Sequence, residues 1–108
     1  MRGDIVTVAD RGGEFTGKPR PAIVLQADLF AEAATIVIVP ISTVPADAPL
    51  LRIPLRPGEA TGLAAPCWAQ LDLVTAVRRR RIGPRIGRVD DATLITINRA
   101  LTVLLGLA

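Results

Sequence analysis

The sequence predicts a mostly β fold with some α: a small, curved, largely antiparallel sheet or barrel followed by one C-terminal amphipathic helix. Three observations carry this. Short runs of β-branched and aliphatic residues recur along the chain; Gly- and Pro-rich stretches, rather than helical patterns, separate them; and helical spacing of apolar residues appears only near the end.

Residues 5–8 read as a first strand because β-branched side chains dominate, and the Gly-rich, charged stretch 10–21 reads as an exposed loop. Residues 22–25 and 35–39 are continuous apolar runs, the pattern of strands buried on both faces, with a single helical turn expected at residues 28–30 between them. Pro45, Pro49, Pro54 and Pro57 restrict any strand around Arg52 and Ile53 to an edge, since proline cannot donate to a sheet. Residues 58–66 form a connecting loop. Residues 67–77 alternate loosely and then meet the arginine run 78–81, predicting one long strand that continues toward Ile82 and ends at Gly83 and Pro84. Finally, Asp90 is a good N-cap; Leu94, Ile97, Leu101 and Leu104 fall on one helical face; and Gly106 supplies the stop.

The chain has 108 residues, room for one domain spanning 1–108. No uncharged run approaches the ~20 apolar residues of a membrane span, and the N-terminus lacks the apolar core of a signal peptide, so a soluble, cytoplasmic protein is expected. Cys67 is the one cysteine, which excludes an intrachain disulfide and suits a small core residue. Histidine is absent, removing the usual general base and zinc ligand, and the ten acidic residues are scattered rather than clustered as a magnesium or calcium site requires. No metal or cofactor is expected. The net charge is +3, and all 13 basic residues but Lys18 are arginine. Such a balance invites an anionic partner, although arginine also serves simply to keep a protein soluble.

Several segments taken in order resemble the MazF/PemK toxin family over nearly the whole chain. Gly3-Asp4-Ile5-Val6 looks like its opening strand. Gly17-Lys18-Pro19-Arg20-Pro21 with the apolar run that follows looks like its loop-to-strand signature, and Pro40-Ile41-Ser42-Thr43 like its strand end. Gly62-Leu63, Arg81-Ile82-Gly83 and Ile86-Gly87 resemble later landmarks that precede the last helix. The resemblance implies an SH3-like barrel with a C-terminal helix, a homodimer, and endoribonuclease activity on single-stranded RNA restrained by a cognate antitoxin. It also implies that Arg20 and Thr43 are tied to cleavage and that Glu14 contributes. The chain departs from the family pattern at Pro19, an added residue; at Cys67, where serine is usual; and at Leu73 and Thr75, where glutamine and arginine are common.

The chemistry of these residue types fits metal-free RNA cleavage. Attack by the ribose 2′-hydroxyl builds a doubly charged phosphorus centre, and a guanidinium offers a permanently charged fork for two of its oxygens. Arg20 is therefore a candidate clamp and Thr43 a candidate hydroxyl donor. Arginine is no general base, so proton removal falls to Glu14, to water or to the RNA itself. Candidate RNA contacts are Lys18, Ser42, Arg79 and Arg81, with Phe15 the best placed for base stacking; in a strand, Arg79 and Arg81 share one face. Phe30 and Trp68 are expected in the core. A charged strand edge that deters unwanted pairing also accounts for the arginine run. Two rivals use the same scaffold: a non-catalytic toxin like CcdB, whose C-terminal tryptophan is missing from Leu105-Gly106-Leu107-Ala108, and a plain SH3-like binding module, which leaves Arg20 unexplained.

Overall fold

Branched side chains at Ile5, Val6 and Val8 favour extended backbone and form strand β1 (Asp4–Val8). In the computed structural model, which describes residues 1–9 and 19–107, β1 pairs antiparallel with β2 (Arg20–Val24) on one side and with β7 (Ile82–Arg88) on the other. Next to β2 lies β3 (Thr35–Ser42), the longest strand. Its first half pairs with β6 (Thr75–Arg78), while its last two residues pair with β5 (Cys67–Gln70), which in turn carries β4 (Arg52–Leu55). The result is a seven-stranded antiparallel sheet with β4 and β7 at its two ends. Among the described residues it is not closed into a barrel, but the mostly antiparallel sheet and the single C-terminal helix are those the sequence predicts.

The run 22–25 buries both faces, whereas in 35–39 Ile36, Ile38 and Val39 are buried and Thr35 and Val37 are exposed. Ile5, Ile23, Leu25, Val39, Ile41, Ala69 and Leu71 join one cluster; Val6, Val8, Ala22, Val24, Ile36, Ile38 and Val77 form a second on the opposite face. Helix α1 (Asp91–Leu104) covers the first cluster with Ile97, Ala100, Leu94 and Leu101. Leu104, expected on the same stripe, is instead 38% exposed at the last turn. The predicted caps are present. Asp90 accepts a hydrogen bond from the Thr93 N–H at 2.7 Å. At the other end Gly106 adopts φ +72° while its N–H and that of Leu107 donate to the carbonyls of Val103 and Thr102.

Residues 67–82 do not form one strand. A 3-10 turn at Leu71–Leu73 separates β5 from β6, and a second at Arg79–Arg81 separates β6 from β7. Both β5 and β6 run along the same side of β3, and between them the register slips by three residues, the length of the first turn. That turn drops Leu71 into the core with no exposed surface. Nor do Gly83 and Pro84 end a strand: β7 runs through them, because at an edge strand the missing N–H of proline faces no partner. Phe30, expected in the core, is 56% exposed on the 3-10 turn Asp28–Phe30. The Gln26 side chain holds that connection, donating to the carbonyls of Phe30 and Thr35 and accepting from the Val37 N–H.

The glycines at 62 and 87 are packing partners. A Cβ at Gly62, whose φ is +72°, would stand 2.0 Å from the Ile86 carbonyl oxygen, and one at Gly87 would stand 2.2 Å from the Thr61 backbone. Glycine at both lets the 58–66 loop lie directly on β7. Among the described residues no helix is long and apolar enough to cross a membrane.

Candidate functional site

Arg20 opens β2 and is exposed. Antiparallel pairing matches Val8 to Arg20, and matches Ala22, Ile23 and Val24 to Pro40, Val39 and Ile38. Continued by two residues, the second register sets Arg20 opposite Ser42, the last residue of β3. Ser42 is matched to Trp68 on β5, and Trp68 to Pro54 on β4. Directly paired residues project from the same face of a sheet, so Arg20, Ser42, Trp68 and Pro54 form one row across four strands. The row lies on the face away from α1, the face that carries Ile36 and Ile38 rather than Val39 and Ile41.

Beside this row the same face hollows into a groove of about 320 Å³, whose walls include Arg20, Ile38, Pro40, Thr75 and Arg81. A second hollow of about 670 Å³ adjoins it through Ala9, Val77 and Arg81 and adds Arg78 and Arg80. No described carboxylate lines either one. The polar side chains that do are guanidinium and hydroxyl groups, a donor set suited to phosphate. Arg81 is anchored: its Nε donates to the Ala9 carbonyl at 2.9 Å, and the Ala9 N–H donates back to the Arg81 carbonyl at 2.8 Å. Ser42 Oγ accepts from the Val44 N–H at 3.0 Å, which leaves its own proton free to donate.

The other sequence-derived candidates are distributed as follows. Thr43 follows the end of β3 and is exposed, one residue out of phase with the face that carries Arg20. Arg79 and Arg81 do not share a face, because the 3-10 turn replaces the expected strand alternation with about three residues per turn. Arg79 Nη1 lies 3.5 Å from Glu32 Oε2, an exposed pair outside both hollows. Glu14, Phe15 and Lys18 lie outside the described residues. Cys67 is buried, as expected, and burial pushes its thiol above the usual range, which keeps it protonated and unreactive. Trp68, expected in the core, is instead half-buried on the face away from α1, and Thr75 is a groove residue that the sequence does not single out. The three-residue slip between β5 and β6 puts Thr75 opposite Ile38 and hence on the groove face, a consequence of topology that local spacing does not reveal.

A family model for the PemK-like, MazF-like toxin of type II toxin–antitoxin systems matches residues 1–105. The chain belongs to this toxin family. It is 45% identical over 107 residues to a probable endoribonuclease MazF from Mycolicibacterium smegmatis, with 99% of this chain and 97% of that protein covered. Among solved structures, an endoribonuclease in complex with its cognate antitoxin from Mycobacterial species superposes with a TM-score of 0.79 at 25% identity, covering all of this chain and 96% of the other. The Mycobacterium tuberculosis toxin MazF-mt6 superposes with a TM-score of 0.81 at 17% identity, over 97% and 98% of the two chains, a likeness of fold. The 107 matched residues span every element from β1 through β7, so the row and the grooves lie within the matched length.

Proposed function

We propose that this member of the PemK-like, MazF-like family is an endoribonuclease that cleaves single-stranded RNA without a metal ion. The observation that carries the reading is Arg20 in the wall of a groove whose polar side chains are guanidinium and hydroxyl groups, on the sheet face that Ser42 shares. A scissile phosphate seated there meets a charged fork from Arg20 and a hydroxyl donor, so negative charge is stabilised where it develops. The 2′-oxygen loses its proton and bonds to phosphorus as the bond to the 5′-oxygen breaks; that oxygen leaves with a proton as a 5′-hydroxyl. The other product ends in a 2′,3′-cyclic phosphate. Glu14, water or the RNA itself takes the first proton, since arginine stays charged.

For the hydroxyl donor, Thr43 follows from the family resemblance, while the strand register favours Ser42, which shares the face of Arg20. Arg81, Arg78 and Arg80 hold flanking phosphates in this reading, and Lys18 and Phe15 contribute from the segment before β2. The reading includes a homodimer; it also includes a cognate antitoxin, as in the antitoxin complex of the mycobacterial endoribonuclease. Exposed Leu29, Phe30, Ile95, Val103, Leu105 and Leu107 supply apolar surface for such contacts. Cytoplasmic residence follows, because RNA and antitoxin are met there.

One assay tests the core of it. Purified protein is incubated with mixed-sequence RNA in EDTA and the product ends are analysed. Cleavage with cyclic-phosphate and 5′-hydroxyl ends is expected; activity that vanishes with chelator and returns with magnesium would overturn the mechanism.

A further inference from the structure

Trp68 is the largest apolar side chain in the protein, yet it belongs to neither apolar cluster. Its chain neighbours Cys67 and Ala69 are both core residues, so the alternation of β5 turns Trp68 to the opposite face, where it is half-buried. On that face it is matched to Ser42 on one side and Pro54 on the other. Neighbouring strands stand about 4.8 Å apart, so Trp68 lies on the order of 10 Å from the Arg20 position, two strands away. Among the described residues its indole N–H makes no hydrogen bond, and no buried side-chain nitrogen lacks a partner, so the polar edge of the ring reaches solvent. Trp68 thus sits half-buried between Ser42 and Pro54 on the face away from α1, with an apolar body and a polar edge at the surface, the combination that enriches tryptophan at interfaces.

Bases of single-stranded RNA are unstacked and bind proteins by stacking on aromatic rings, while phosphates fix the register of the strand. We propose that Trp68 is the platform on which the base of a nucleotide flanking the scissile phosphate stacks, with the phosphate itself at Arg20 and Ser42. The proposal rests on the ribonuclease reading above and adds the base contact that the grooves lack, since their described walls hold no aromatic side chain. The partly exposed Gln70, on the same face and two residues along β5, is in position to meet the edge of such a base.

The chain holds one tryptophan and no tyrosine, so its intrinsic fluorescence reports Trp68 alone. The wild type is titrated with a short mixed-sequence 2′-O-methyl oligoribonucleotide, which cannot be cut, and with an abasic oligomer of equal length. Quenching by the first and not by the second is expected. In parallel, Trp68→Leu should raise KM for RNA by roughly 5- to 100-fold with little change in kcat, and Trp68→Phe should recover most of the loss. Unchanged fluorescence with both oligomers, in a protein that cuts RNA, overturns the platform and leaves the ribonuclease reading intact. Quenching by the base-bearing oligomer in a protein that cuts no RNA sustains the platform and overturns the cleavage reading. Fluorescence that shifts on dilution of the protein alone, and not with RNA, means that a second copy covers Trp68 and also overturns the platform. The titration needs no variant, so a Trp68→Leu protein that fails to fold leaves the outcome decided.

Discussion

The two faces of the sheet come from the same strands and have opposite fates. On one, Ile5, Ile23, Val39, Ile41, Ala69 and Ile53 pack beneath α1 and are nearly inaccessible. On the other, Val6, Val8, Ala22, Val24, Ile36 and Ile38 form a smaller cluster that gives way, toward the ends of β2 and β3, to Arg20, Ser42, Thr75 and Trp68. Alternation within a strand assigns each residue to a face but leaves open which face the helix covers. The covered face is chemically uniform and the uncovered one is mixed, so polar groups interrupting the apolar pattern mark the open face. Substitutions on the first should therefore change stability and spare the chemistry, whereas those of Arg20, Ser42, Thr75 and Trp68 on the second should do the reverse.

The largest effect is expected beneath the helix. Ile97 is fully buried at the centre of the cluster shared by α1 and the sheet, so Ile97→Ala leaves a cavity and costs roughly 2–5 kcal/mol. That is a large fraction of the ~5–15 kcal/mol of a typical domain. Chemical denaturation measures it, and the surviving folded fraction should cut RNA at the wild-type rate. A loss below ~1 kcal/mol would mean that α1 is not the lid of this core.

On the open face, Arg20→Ala should lower the cleavage rate by about 10²–10³, the usual consequence of removing a preorganised donor to developing charge, with the melting temperature unchanged because Arg20 is exposed. Arg20→Lys should fare little better, since an ammonium lacks the planar fork. Wild-type cleavage by either variant would remove Arg20 from the mechanism. A smaller difference separates the two hydroxyls: Ser42→Ala should slow cleavage by roughly tenfold, the loss of one hydrogen bond to a charged group, and Thr43→Ala should do less. The reverse order would return the donor role to Thr43.

How far the sequence reveals this division depends on what each element answers to. Strands β1 to β3, the edge position of β4 and the capped helix follow from local rules: branched apolar runs, prolines without an N–H, and an Asp90 with Thr93 three residues on. Residues 67–88 do not. Their breaks at Leu71–Leu73 and Arg79–Arg81 arise because the chain must pass from one stretch of β3 to another and then cross to β1, a requirement of topology. The site divides the same way. Arg20 stands out in the sequence through its flanking prolines and the family resemblance, but choosing between Ser42 and Thr43, and finding Thr75 and Trp68, requires the register. A slip of one residue exchanges the faces.

The smallest predicted effect returns to the covered face, at the helix cap that holds its lid. Hydrogen bonds from the Thr93 hydroxyl and backbone N–H keep the Asp90 carboxyl below its ordinary range. Its folded state therefore prefers the ionised form more than the unfolded chain does, whose carboxylate titrates near ~3.9. The stabilisation is present above that value and is lost as pH falls through the folded-state value, where the unfolded chain binds the proton first. Asparagine also caps helices but carries no proton to gain. Melting temperatures of the wild type and Asp90→Asn, measured from neutral pH down to about pH 2, should then differ most near neutrality and converge in acid. Asp28, held low by the Arg2 backbone N–H, titrates in the same direction in both proteins and cancels from the comparison. A difference that stays constant across the range would show that Asp90 acts through its shape alone, without the charge.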